Sequence, residues 1–398
     1  MTNTDNLYDK DAAKDILGKN YFVDKDLGFR VIERGAIVPY VLTPSTGGNY
    51  VWEFGGIVDS KGRFIKSSVG KFGKEDTYAL TDEIPRVKAT VIYLGMFYLI
   101  WGHLITEGTR YFWAFNSDVF RKYFKDCPLA YIPCKLLESP VAQKNFWRLM
   151  EILEIDANRL LPIDCPTQFE NVILPDESFI FDNDGLNKFT DDYRATIDRV
   201  RNFALKNRTP TSSKKIYYFY GRAQFGEERL AEYFKSKGYE IISPERLTLD
   251  EQLNWLINAD SFASTLGSSS HNSIFLRDGT EIISIPRAAN RFTDYQPPID
   301  QVHPLNVNYV DSSLSIFGTV NGSYCFIISE QLKKFFGDEF NGYEDDFKIF
   351  LSYVKFSMSR GFKVNNQAMQ YYAPTYQKFI EQLKQRADLL KTYGVTLI

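Results

Sequence analysis

The sequence predicts an α/β protein of two domains, the second built on a parallel, Rossmann-like sheet. Three observations carry that expectation. The chain has 398 residues, too many for one ordinary core and suited to two domains. A polar, helix-breaking run, Thr209-Pro210-Thr211-Ser212-Ser213, divides it near the middle. Beyond that run, four short apolar segments alternate with three helical patterns, the order that right-handed crossovers between parallel strands produce.

Taken in order, residues 1–20 read as a short helical lead-in and residues 28–75 as strands and turns. Gly47-Gly48, Gly55-Gly56 and Ser60-Lys61-Gly62 supply the turn signals. Val91-Ile92-Tyr93-Leu94 reads as a buried strand, Ala130-Tyr131-Ile132-Pro133 as a second, and residues 143–153 as a helix. Phe189, Tyr193, Ile197, Val200 and Ala204 fall on one face of a helix over 186–207. After the boundary come a strand at 215–220 and a helix at 227–237 closed by Gly238. A strand at 239–243 follows. Thr248 and Glu251 have capping-box spacing and open a helix to Asn258. The pattern closes with a strand at 262–266, a helix at 269–277 and a strand at 281–285. Past Pro297-Pro298 the order is less regular, with helices at 346–358 and 366–390. The expected domains are therefore 1–208 and 214–300, with 301–398 completing the second and its last helix free to cross back to the first.

Composition excludes several classes. Lys plus Arg is 47 and Asp plus Glu is 50, a net charge of −3, so the concentrated positive charge of a nucleic-acid binder is missing. With 44% hydrophobic residues the chain is not disordered. Cys127, Cys134, Cys165 and Cys325 form no CxxC pair, and three histidines give no zinc-site spacing. Unpaired thiols suit a reducing cytosol, and Met1-Thr2-Asn3-Thr4-Asp5-Asn6 has neither the basic nor the apolar region of an export signal. The longest apolar run, from Val91 to Ile105, is interrupted by Gly95, Gly102 and His103 and falls short of a membrane span. The expectation is a cytoplasmic protein that meets a membrane only peripherally, at its inner face. Aromatic residues, at 16%, read mainly as core filling.

Open α/β sheets bind ligands outside the carboxyl ends of their strands. Three features of the second domain fall on that edge: Arg222 after strand 215–220, Ser268-Ser269-Ser270-His271-Asn272 after strand 262–266, and Pro286-Arg287 after strand 281–285. A helix start among small residues offers N–H groups and a positive dipole end to a phosphate, and Arg222 adds a guanidinium. The serines also make a plain helix cap, and both readings stand. In the first domain, His103, Glu107 and Arg110 are i, i+4 and i+7 on one helical face after an apolar stretch. A half-buried His–Glu pair has the parts of a general base with its orienting partner. It is equally an ordinary helix-surface ion network. Asp182-Asn183-Asp184 matches a metal-binding DxD pattern, but Gly185 after it makes a turn the simpler reading.

At these residues the sequence resembles glycosyltransferase family 61, in particular its bacterial members that build capsular and other surface polysaccharides. The resemblance spans residues 55–296. It is clearest from Gly102-His103 through Glu107, Arg110 and Trp113, at Gly221-Arg222 with Glu227, and from Leu266 to Phe275 with Asp278-Gly279. Glu251-Gln252 fits the helix before that loop. Leu266 stands where the eukaryotic pattern has a histidine, which appears here as His271, and Ser284 replaces a strand-end glutamate. The resemblance implies a GT-B-like architecture, two Rossmann-like domains facing across a cleft with the donor nucleotide on the second. It also implies an inverting, metal-independent transfer needing no cofactor beyond a nucleotide-sugar donor, onto a glycan or lipid-linked acceptor. His103 or Glu107 would be the base; Arg222, Ser268, Ser269, Ser270, His271 and Asn272 would hold the donor. A nucleotide-sugar epimerase of the same architecture and a non-catalytic partner subunit are the alternatives. Donor sugar, acceptor and oligomeric state stay open.

Overall fold

A computed structural model describes residues 2–395 apart from 45–49, 70–75, 98–99, 134–139, 182–185, 222–223, 290–291, 293–294 and 319–321. Two compact units divide the chain: Tyr21–Lys206, and Met1–Asn20 together with Asn207–Ile398. The first twenty residues correct the sequence reading. They begin with strand β1 (Thr2–Asn6), followed by the helix Lys10–Leu17, and they belong to the C-terminal unit. The strand is the polar run Thr-Asn-Thr-Asp-Asn, which lacks the apolar alternation that marks a strand in sequence.

In the unit Tyr21–Lys206 a sheet forms from β2 (Phe29–Glu33), β3 (Ala36–Pro44), β4 (Tyr50–Val58), β5 (Arg86–Phe97), β6 (Leu129–Pro133), β7 (Leu160–Pro162) and β8 (Thr167–Pro175). The order is β4-β3-β8-β5-β6-β7, with β2 also pairing to β8. Strands β8, β5, β6 and β7 run parallel, whereas β2, β3 and β4 join antiparallel. This sheet is therefore mixed, with a parallel part formed by β8, β5, β6 and β7 and an antiparallel part from the strands and turns expected over 28–75. The local reason is the run of turns between residues 28 and 75, too short for crossover helices, so those strands return antiparallel. Strand β5 is buried from Val91 to Phe97, as its mostly apolar run predicts. It packs with Ile32, Ala130, Ile132, Val172 and Leu174 in one core. The helix expected over 186–207 starts only at Asp191 and ends at Lys206. Ahead of it β9 (Phe179–Phe181) pairs antiparallel with β10 (Asn187–Phe189). Asp182, Asn183 and Asp184 lie between these strands, outside the described residues.

The C-terminal unit holds a six-stranded, wholly parallel sheet. Strands β11 (Lys215–Tyr218), β12 (Glu240–Ile242), β13 (Ser261–Thr265), β14 (Glu281–Ile285) and β15 (Asn306–Val310) are ordered β12-β11-β13-β14-β15, and β1 adds beyond β15. The helix Glu227–Ser236 covers one face, where Leu230, Ala231 and Phe234 pack on Tyr217, Ala263 and Ile283. On the other face the Tyr218 hydroxyl donates to the Gln252 carbonyl (3.3 Å) in the helix Leu249–Asn258. That helix carries the expected capping box: the Thr248 hydroxyl accepts from the Glu251 amide, and Glu251 accepts from the Thr248 amide. The chain leaves β11 in one direction to make β12 and returns on the other side to make β13. The gap between β11 and β13 is thus the topological switch point, where doubly wound sheets of this order bind ligands.

After β15 the helices Phe347–Ser359, Asn366–Lys384 and Ala387–Tyr393 gather Phe347, Phe350, Tyr372, Phe379 and Leu383 around Leu314 and Ile316 in a core of this unit. The single helix expected over 366–390 is broken at Gln385-Arg386. Cys127, Cys165 and Cys325 are free thiols, and Cys134 lies outside the described residues. Among the described residues no helix is long and apolar enough to cross a membrane.

Candidate functional site

Two clusters hold the sequence-predicted residues, one in each unit. The first follows β5. Helix begins at Trp101–His103 and widens into a π-helix over Leu104–Gly108. Such widening is uncommon overall and frequent at functional sites, though this chain has a second π-helix at Phe120–Phe124. Side-chain hydroxyls support it: Thr106 donates to the Gly102 carbonyl (2.8 Å), and Thr109 (2.9 Å) and Tyr193 (2.6 Å) both donate to that of Ile105.

His103 and Glu107 meet as the spacing predicts, with Nδ1 of His103 2.8 Å from Oε1 of Glu107. Their exposure differs sharply, 26% for the His103 side chain and 1% for Glu107. Only the imidazole is open to a ligand. A carboxylate accepts, so Nδ1 donates, and Nε2 becomes the basic nitrogen of the ring. The helix ends at Gly108, and the Arg110 guanidinium reaches Glu177, Nη1 to Oε1 at 3.0 Å.

Sequence reasoning missed Glu177, which follows β8; the run Val172-Ile173-Leu174 before Pro175 was the signal that could have placed it at a strand end. Strand β8 runs parallel to β5, so Asp176 and Glu177 emerge on the same sheet edge as the His103 segment. Burial pushes the Glu177 carboxyl up to about 7; Arg110 and Lys25 pull it back, and Asp176 and Glu107 push it further. Glu107 thus lies within electrostatic reach of Glu177.

The second cluster occupies the carboxyl edge of the C-terminal sheet. The helix expected from Ser269 is a six-residue 3-10 turn, Ser270–Phe275. Its first amides turn inward: those of Ser270 (2.9 Å) and His271 (3.3 Å) donate to the Gly267 carbonyl, and that of Asn272 donates to Ser269 (3.3 Å). Ser269, Ser270, His271 and Asn272 are all buried, and only Ser268 is half-buried. Gln296 locks them. Its Oε1 accepts from the Ser270 hydroxyl (2.5 Å) and from Nδ1 of His271 (2.8 Å), while its Nε2 donates to Asp300 (2.7 Å) and Ser273 (3.2 Å). Asp300 also accepts from the Tyr309 hydroxyl (2.7 Å). Asn272 donates to the Ser269 carbonyl (3.0 Å). Ser270, His271 and Asn272 thus build the loop from behind. Arg222 lies outside the described residues.

Arg287, placed on this edge by sequence, is central to it. Its guanidinium sits 4.6 Å from the centre of the Tyr220 ring and 5.8 Å from that of Tyr324. Gly267 at φ +139° lies directly against it; a Cβ there would come within 2.7 Å of Cζ, Nη1 and Nη2. Glu227 is buried behind the strand ends, accepting from the Tyr220 amide (3.2 Å) and more weakly from the Thr265 hydroxyl (3.4 Å). Burial raises its carboxyl to about 7 against the pull of the Tyr220 amide and of Arg287.

Comparison with known proteins meets this geometry at one point. Residues 101–283 match the model of the family Glycosyltransferase 61. The match shows a likeness to that family over these residues, and it is narrower than the 55–296 stretch over which the sequence resemblance was read. It takes in His103, Glu107, Glu177, Glu227 and the Gly267–Asn272 loop, whereas Arg287 and Gln296 lie beyond it. No curated protein matches the chain. Among the described residues no group of three or more His, Cys, Asp or Glu is arranged to hold a metal ion.

Proposed function

We propose that this protein is an inverting glycosyltransferase that moves a sugar from a nucleoside-diphosphate donor to a hydroxyl acceptor. The observation that carries the reading is the His103–Glu107 pair, lying inside the stretch that matches glycosyltransferase 61. His103 is the base and Glu107 the carboxylate that orients it. As the acceptor oxygen attacks the anomeric carbon, Nε2 of His103 takes the hydroxyl proton. The bond from that carbon to the diphosphate breaks on the opposite face, inverting the configuration. Glu107 stabilises the imidazolium that results.

The nucleotide belongs to the C-terminal unit, whose strand order supplies the switch point, and the acceptor to the unit of His103, the division of labour of a GT-B enzyme. Arg222 and the edge around Gly267 meet the leaving diphosphate, so the reading requires no resident metal. A glycan or lipid-linked glycan in bacterial surface polysaccharide assembly is the proposed acceptor class, with the enzyme working at the cytoplasmic membrane face.

The test is nucleotide release from a panel of sugar nucleotides, with and without glycan acceptors, for wild type, His103→Ala and Glu107→Gln. Nucleotide affinity is expected to hold in both variants while turnover falls by roughly 10²–10⁴-fold. Full transfer activity in both variants removes the base. Donor turnover without any acceptor points to an epimerase, and binding without turnover points to a non-catalytic partner subunit.

A further inference from the structure

A buried polar atom without a partner calls for an explanation, and a ligand that the site is shaped to receive is one. Several gather at the β11/β13 switch point. Nε and Nη2 of Arg287 are buried and make no hydrogen bond among the described residues, nor does Oε2 of Glu227 or the hydroxyl of Tyr217. A guanidinium that keeps its charge in such a place costs stability unless an anion comes to it. Its flat face is already occupied by the Tyr220 ring and the Gly267 backbone, which fix its plane. What remains is the edge bearing Nε and Nη2, a fork that matches two oxygens of one phosphate.

We propose that Arg287 is the receptor for a phosphate group of the ligand, and that Glu227 behind it is a resident counter-ion, exchanged for a proton when the ligand binds. The groups that act on Glu227 come from each neighbouring element: Tyr217 and the Tyr220 amide from β11 and its end, Thr265 from β13, Arg287 from the end of β14, and Glu245 from the turn Pro244–Arg246. Among the described residues that act on it, only Arg287 is a cation. An anion docked on Arg287 cancels its pull and adds negative charge beside Glu227, so the carboxylate takes a proton from solvent. The acidity already near neutrality makes that exchange available at ordinary pH. The choice of a diphosphate ligand rests on the transferase reading. The receptor does not, because binding of inorganic pyrophosphate needs neither an acceptor nor turnover.

The experiment is titration calorimetry of the full chain with inorganic pyrophosphate near pH ~7.5, in two buffers of different ionisation enthalpy. Arg287→Gln is expected to weaken binding by roughly 10–100-fold, the usual worth of a charge-assisted hydrogen bond. Arg287→Lys is expected to restore only part of it, a point charge lacking the fork. Melting temperatures of both variants are measured alongside, so that a loss of affinity is told apart from a loss of fold. Wild type is expected to take up about half to one proton more per ligand than Glu227→Gln, the probe's own protonation being common to both. Unchanged affinity in Arg287→Gln overturns the receptor, as does loss of affinity only in step with loss of melting temperature. Equal proton uptake in wild type and Glu227→Gln overturns the counter-ion. Pyrophosphate binding through Arg287 without any sugar transfer leaves the receptor standing and removes the transferase reading.

Discussion

Replacing Glu177 by Gln should change how stability depends on pH, and by an amount that follows from its burial. In the folded chain this carboxyl is pushed up to about 7 by burial, against the pull of Arg110 and Lys25. In the unfolded chain it titrates near ~4.3. The folded state therefore binds the proton more tightly. The stability it contributes is complete below the unfolded value and is lost as pH rises through the folded one. Every tenfold difference in proton affinity between the two states corresponds to about 1.4 kcal/mol, so between roughly pH 5 and pH 8 wild type loses about 2.5 kcal/mol through this group. A glutamine at this position would not titrate, yet its amide oxygen can still accept from Arg110. Urea denaturation of wild type and Glu177→Gln across that window is the assay. The variant is expected to gain on wild type by about 2.5 kcal/mol from the acid to the alkaline end. A difference that stays constant with pH would refute the reasoning that burial keeps Glu177 protonated into the neutral range.

Two further changes test the elements around the C-terminal site. Gln296→Met keeps the volume but removes the hydrogen bonds that Gln296 makes to the Ser270 hydroxyl, Nδ1 of His271 and Asp300, and is expected to cost on the order of 3 kcal/mol in denaturation and to weaken nucleotide binding. Thr248→Ala removes only the helix cap; stability should fall by about 1 kcal/mol with nucleotide affinity unchanged, as measured by melting and titration together.

Much of the C-terminal sheet was readable because its signals are local. Strand β14 runs over Glu281–Ile285 as its apolar run indicates, and the helix Leu249–Asn258 starts where Thr248 and Glu251 place a capping box. Short, continuous apolar runs between helices leave few alternatives to a parallel sheet. The pairing of His103 with Glu107 was equally local, since residues four apart meet in an α-turn and still meet in the wider π-turn. Where a residue's partner is distant in sequence, the reading failed. Spacing placed Arg110 near His103 and Glu107 but could not show Glu177, sixty-seven positions on, which takes its guanidinium.

By itself, then, the sequence determined the α/β class, the alternation of elements after residue 214, the His103–Glu107 pair and the sheet edge on which Arg287 stands. Tertiary structure decided the rest. It drew the polar strand β1 to the far edge of the C-terminal sheet, where backbone hydrogen bonds to β15 suffice and no apolar pattern is needed. It made the sheet of the other unit mixed, because pairing direction depends on which distant strand accepts each backbone. It turned the Ser269–Asn272 segment inward onto Gln296 and left Arg287 with two donors unmet among the described residues. Propensity and spacing act over a few residues, whereas burial, strand order and the absence of a partner are properties of residues brought together from far apart in the chain.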